Sequence, residues 1–323
     1  MSELTQAPLR KRSAIPGYIA LAVLASLIVW PWFMGPYVLH LAILTSLNIL
    51  IVNGLSIIER SGQLSFGHSA FVAIGAYGSV LLATHFGMAP LLAGGLALIL
   101  TAFIAFLLGA IILRLKGVYF VLITFAFAEL TRLALLDWAE ITGGASGIAA
   151  IPAFDLFGFA FDSRTRFYGL AIGFALLSVW LTYAIFRRPL GHALTAVAEN
   201  APLAESTGLS VYRLQLVAFI IGCVLAALGG VLMARYIGFI SPESFNINIS
   251  IALITMLVIG GRGSLWGPLI GAAVLTPLPE FFRGAVQTQH IFYGAALILI
   301  LRFLPGGLVS LGKRFRTDEK GRR

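Results

Sequence analysis

The 323-residue sequence predicts an all-α, polytopic transmembrane helical bundle of about ten spans, with glycine-broken segments and both termini cytoplasmic. Three observations carry this. The chain is 59% hydrophobic and only 11% charged, outside the range of soluble globular domains. The charges are segregated, with no Asp, Glu, Lys or Arg from Ser13 to Ile58 or from Ser61 to Leu113. Further uncharged runs cover Phe167–Phe186, Leu214–Ala234, Ser244–Gly261, Gly263–Pro279 and Gly284–Leu301. A hydrocarbon core of about 30 Å needs about 20 apolar helical residues per crossing, and each run is near that length or a multiple of it. Finally, the runs are apolar on every face. A membrane barrel would show short alternating strands, so helices, which pair their own backbone groups, are the spanning option.

In chain order, a cytoplasmic tail (1–14) precedes a transmembrane domain (15–304), with the cytoplasmic loop 187–215 inside it, and a basic cytoplasmic tail (305–323) follows it. Arg10, Lys11 and Arg12 before an apolar run resemble a signal peptide. No convincing small-residue cleavage site follows, so 15–33 reads as a retained first span. The next spans fall at 37–57, 65–85, 89–113, 117–136, 166–186 and 214–236, followed by 248–260, 267–282 and 289–304. The segment 248–260 is too short to cross alone, and Gly260, Gly261 and Gly263 break it from the next. Gly62–Gly78 is rich in Gly and Ser, which suits a broken or re-entrant helix.

Orientation follows from Lys and Arg. With the N-terminus inside, all but five of the 22 basic residues fall on the cytoplasmic side; the exceptions are Arg132, Arg164, Arg166, Arg235 and Arg283. The formal charge of +9 is therefore a topology signal rather than a nucleic-acid surface. Trp30, Trp32 and Trp138 suit interfacial anchors, and the basic tail suits contact with anionic lipid. Small residues recur every fourth position: Ala93, Ala97, Thr101, Ala105 and Gly109, then Gly222, Ala226 and Gly230, and again Gly263, Gly267 and Gly271. Such stripes let helices pack closely within one bundle or against a partner subunit. The single cysteine, Cys223, lies mid-span and forms no intrachain disulfide.

Catalytic constellations and metal-ligand spacings are absent from the sequence. Gly307 to Lys313 has P-loop spacing, but Arg314 follows where Ser or Thr is needed and no strand precedes it. Among candidate path residues, Gly62, Ser65, Gly67 and His68 form the first glycine-rich break. An intramembrane ionisable group is a functional candidate, set against a neutral histidine hydrogen-bonded to a neighbouring helix. Thr142, Gly143 and Gly144 begin an outer loop, either a flexible turn or part of a receiving face. Glu129 and Arg132, three apart, are either a lipid-shielded ion pair or a gate or substrate-ammonium contact.

The cytoplasmic loop 187–215 is the most informative. Leu190, Leu194, Val197 and Ala201 fall at helical spacing, Pro202 suits the first position of a second short helix, and Gly208 suits its stop. It reads either as an interfacial segment on the headgroups or as an element that docks into a groove on a cytoplasmic protein.

This loop resembles the LivM-type permease subunit of branched-chain amino acid ABC importers. The carrying residues are Arg188-Pro189-Leu190-Gly191-His192-Ala193-Leu194, Ala196, Glu199-Asn200, Ala204 and Gly208, with the residue the family has between arginine and proline either missing or replaced by Arg188 itself. Ser61–Tyr77, Gly117–Glu129, Thr142–Ile148, Gly260–Ala272 and Leu304–Leu308 extend the resemblance, in family order, over nearly the whole chain. It implies a subunit of the bacterial inner membrane that pairs with a second, LivH-like permease. Two cytoplasmic ATPases would use ATP and Mg, and an external amino-acid-binding protein would deliver substrate. This chain would bind no cofactor. Gly191, Ala193, Ala196, Glu199, Asn200, Ala204 and Gly208 would form the ATPase-coupling loop, and transport would proceed by alternating access. Competing expectations are an ion-coupled secondary transporter of small polar solutes, an ABC permease for amides or urea, and a non-transporting scaffold.

Overall fold

The computed structural model describes residues 35–156, 159–281 and 307–310, together with residues 25, 31, 294 and 298. The expected spans 15–33 and 289–304, the two tails, Trp30 and Trp32 lie wholly or mainly outside the described residues. Twelve α-helices occur in the described part: α1 (Pro36–Glu59), α2 (His68–Phe86), α3 (Pro90–Ile112), α4 (Val118–Asp137), α5 (Ala139–Thr142), α6 (Arg164–Arg187), α7 (Pro189–Glu199), α8 (Ala201–Ser206), α9 (Val211–Ile237), α10 (Ile247–Gly261), α11 (Gly267–Leu275) and α12 (Leu278–Phe281). Two antiparallel two-residue pairings join loops: Ile148–Ala149 with Phe239–Ile240, and Asp155–Leu156 with Phe159–Ala160. The protein is an all-α polytopic bundle. Seven segments among the described residues are long and apolar enough to cross a membrane, namely α1, α2, α3, α4, α6, α9 and Pro242–Gly261.

Three elements differ from the sequence expectation. The segment expected at 248–260 gains a 3₁₀ turn, Pro242–Phe245, in front of α10, and the whole reaches a spanning 20 residues. The segment expected at 267–282 is divided into α11 and α12. The helix expected from residue 65 starts at His68, because the chain from Gln63 to Gly67 runs non-helically and bonds to its neighbours instead.

Helix α9 is the hub, packed on α1, α2 and α3. At its crossing with α1, a β-carbon added to Gly222 would stand 2.6 Å from the Gly54 carbonyl oxygen, and one on Gly54 2.5 Å from that of Gly222. Only glycine admits this approach, which replaces the hydrophobic drive lacking between helices in lipid with direct backbone dispersion contact. The stripe Ala93, Ala97, Thr101, Ala105 and Gly109 is wholly buried within the chain. Gly94 meets Val231, Gly109 meets Leu216 and Phe219, and the opposite face of α3 exposes Leu92, Ile99 and Phe103. Gly260, Gly267 and Gly271 bring α10 and α11 into an equally close hairpin.

Buried and half-buried polar side chains tie helices that share no chain neighbour. Asn53 Nδ2 donates to Ser178 Oγ (2.9 Å, α1 to α6), and Asn48 Nδ2 to Thr276 Oγ1 (3.0 Å) just past α11. Cys223 is a free, buried packing residue.

Candidate functional site

The loop after α6 is shaped by Pro189. A residue before proline is driven out of the helical region, and Arg188 is extended (φ −89°, ψ 167°), so α6 ends and α7 begins at a turn. Gly191 then allows α7 to fold back: a β-carbon there would lie 2.5 Å from the Ile185 carbonyl oxygen and from Phe186 Cα. Leu194 and Val197 are buried, as their spacing suggested, while Leu190, Ala193, Ala196 and Ala201 are half-buried. Asn200 caps α8, its side chain accepting the Leu203 N–H at 3.1 Å. Pro202 is consequently the second residue of α8, not the first. Ala204 closes a small cluster with Val197 and Val211. Gly208, at φ +88°, stops α8, and the Leu209 N–H returns to the Ala204 carbonyl at 3.1 Å.

The outer surface of the loop carries His192, Glu199, Leu203, Glu205 and Ser206. Leu203 is 61% exposed at the loop tip, outside the apolar helical layer. It is the residue sequence reasoning missed; the signal was a leucine off the Leu190–Leu194–Val197–Ala201 face.

The loop is joined to the rest of its end of the bundle. Gly62 (φ +84°) in the α1–α2 turn touches Ala198 of α7, and Gln215 Nε2 of α9 donates to the Ser61 carbonyl at 3.3 Å. Glu59 accepts from Arg262 Nε at 3.1 Å and from the Gly263 N–H at 3.2 Å. Arg60 Nη1 donates to the Gly263 carbonyl at 2.8 Å and its guanidinium stacks 4.3 Å from the Phe186 ring centroid.

From Gly62 the chain rises into the helical layer. The Phe66 N–H donates to Thr124 Oγ1 (3.1 Å), the Gly67 N–H to Ser65 Oγ (3.2 Å) and the Ser69 N–H to Ser250 Oγ (3.0 Å). Thr124 lies six residues into α4, so α2 begins about 9 Å inside that helix's start. Ser65 and His68 are fully buried and Gly62 is exposed. The His68 ring is wholly enclosed by its neighbours. It faces the Ile51 carbonyl of α1 without bonding geometry, and neither ring nitrogen has a partner.

Thr142, Gly143 and Gly144 lie at the opposite end. Thr142 Oγ1 donates to the Leu135 and Trp138 carbonyls (2.5 and 2.8 Å) and accepts the Gly144 N–H at 3.2 Å, capping α4 and α5. About 20 Å of α4, from Thr124 to Asp137, separates them from the Gly67 break. The two groups therefore do not form one site. Near the same end, Arg132 bonds Glu129 (2.5 Å) and Glu243 (2.6 Å), so the expected pair is a three-residue cluster tying α4 to the turn before α10.

The sequence profile described as "Branched-chain amino acid transport system / permease component" matches residues 37–301. The chain belongs to this permease family. It is 33% identical over 317 residues to the high-affinity branched-chain amino acid transport system permease protein LivM of Escherichia coli (strain K12), covering 91% of this chain and 74% of that protein. LivM of Salmonella typhimurium (strain LT2) is 32% identical over 90% of this chain and 74% of its own length. The permease protein LivH of Salmonella typhimurium is 30% identical over 40% of this chain and 42% of its own. No solved structure matches. In this branched-chain permease the matched span runs from α1 past α12, and so includes both the α7–α8 loop and the His68 break.

Proposed function

We propose that this chain is the LivM-type permease subunit of an ABC importer for branched-chain or related hydrophobic amino acids. It works beside a LivH-like permease, two cytoplasmic ATPases that use ATP and Mg, and an extracytoplasmic amino-acid-binding protein. The chain crosses the bacterial inner membrane about ten times with both termini inside. That orientation puts α7 and α8 in the cytoplasm with most of the basic residues.

The observation that carries this reading is the α7–α8 loop. It is anchored to α6 through Gly191 and to the α1–α2 turn through Gly62 and Ala198, yet holds Leu203 and Glu199 outward. A force applied to the exposed tip by ATPase closure passes into two separate parts of the bundle. One is α6; the other is the turn leading to Ser65, Gly67 and His68, a non-helical backbone inside the layer. Such breaks offer backbone groups to polar substrates at depth. Gly62–His68 is accordingly the inner part of the path, and Thr142–Gly144 belongs to the face that meets the binding protein.

Reconstitution decides the matter. The subunit, its permease partner and the ATPases in liposomes, with binding protein inside the assay, are expected to accumulate leucine only with ATP. Uptake by this chain alone under an ion gradient would overturn the proposal.

A further inference from the structure

At the end of the bundle away from α7 and α8, a cavity of about 370 Å³ opens between the start of α1, the start of α6 and the end of α9. That is within the range of small-molecule sites, about 300–1,000 Å³. Phe161, Phe167 and Ile237 supply apolar wall, while Arg164, Arg235 and Asp162 supply charge. His40 and Tyr236 complete one side and are hydrogen-bonded to each other (Nδ1 to Oη, 2.6 Å).

Arg235 is the group the fold leaves incomplete. It is only 4% exposed, on a helix of the apolar layer. Nη1 and Nη2 donate to the Pro152 and Ser79 carbonyls, each at 3.3 Å, and the buried Nε has no partner. No carboxylate pairs with it among the described residues, since Asp162 on the cavity wall is engaged by Arg166 at 3.1 Å. A guanidinium has five donors in a fixed fork, and burying it without a counter-ion is unfavourable. A carboxylate is the anion whose geometry that fork matches. Arg164 and Asp162, both exposed at the rim, place a second cation and an acid within the same cavity.

We infer that this cavity is an external binding site for a free apolar α-amino acid. The carboxylate pairs with Arg235, the ammonium faces Asp162, and the side chain lies against Phe161 and Phe167. The choice of an amino acid over a bare anion rests on the importer reading above, and on the acid and aromatic walls beside the arginine.

The test uses the full chain in its assembled complex in right-side-out vesicles. Cys223→Ser removes the native thiol, and Ile237→Cys places a single thiol on the cavity wall, with labelling read on this chain alone. An anionic methanethiosulfonate is expected to react about tenfold faster than a cationic one, because a basic cleft concentrates anions. Leucine should slow the reaction and leucinamide should not. Arg235→Gln should abolish both the charge preference and the protection, while Arg235→Lys keeps the preference and weakens the protection. If Arg235→Gln does not fold, the leucine and leucinamide comparison with Arg235 intact still decides the site. Uptake of leucine without protection would overturn the site and leave the importer reading standing. Protection without uptake would support the site and count against the importer.

Discussion

A β-carbon on Gly62 would stand 3.1 Å from Ala198 Cα, so the α1–α2 turn and α7 are in backbone contact. Gly62 also sits at φ +84°, where other L-residues are strained. Gly62→Val is therefore expected to lower thermal stability by about 1–3 kcal/mol and to reduce ATP-driven uptake more than membrane insertion. Uptake per inserted transporter, in vesicles with matched protein levels, reads this directly. Unchanged uptake would show that α7 does not act through this turn.

Leu203, 61% exposed, has little packing to lose. Leu203→Asp should leave melting behaviour within about 0.5 kcal/mol of the parent while ATPase subunits no longer co-purify. Glu199→Trp should act similarly. Gly208→Val should weaken association partly through the loop itself, since it strains the α8 stop. Co-purification after mild detergent extraction distinguishes them. Full ATPase recovery with Leu203→Asp would remove the loop tip from the docking surface.

The Gly54–Gly222 crossing allows no side chain on either helix. Gly222→Val is expected to cost about 1–3 kcal/mol through overpacking, seen as an earlier unfolding transition in detergent. Gly95 and Gly173 meet nothing within 4 Å of an added β-carbon. Ala at either is expected to be neutral or slightly stabilising, since each lies inside a helix.

His68 gives a separation of fold from function. Its ring nitrogens are buried without partners, so replacing it with an apolar residue removes an unsatisfied group. His68→Phe is expected to keep or raise thermal stability while uptake falls several-fold. A stable variant that transports at the parental rate would remove His68 from the path.

The helices were legible because their determinants are local. Uncharged runs of bilayer length marked α1, α3 and α6 to within a few residues, and the Leu190–Leu194–Val197 spacing with Pro202 and Gly208 announced the small helices of the loop. The small-residue stripe of α3 was equally plain, but which helix would fill it was not: a stripe reports a close approach and leaves the partner unnamed. The ragged start of α2 was misjudged by three residues. The hydrogen bond holding Phe66 outside the helix comes from Thr124, and the one meeting the Ser69 N–H in its first turn comes from Ser250, both far along the chain.

By itself the sequence determined that this chain is a bundle of membrane helices interrupted by a loop of two short helices, because hydropathy, proline and glycine act on their own neighbourhood. Only the tertiary structure decided that Gly62 rests on Ala198, that Arg132 bridges Glu129 and Glu243, and that Arg235 lines a cavity while pairing with no carboxylate among the described residues. Those relations join residues up to 136 positions apart, as from Gly62 to Ala198. They depend on how helices cross, which is settled by backbone contact and buried polar pairing between segments that carry no mark of one another.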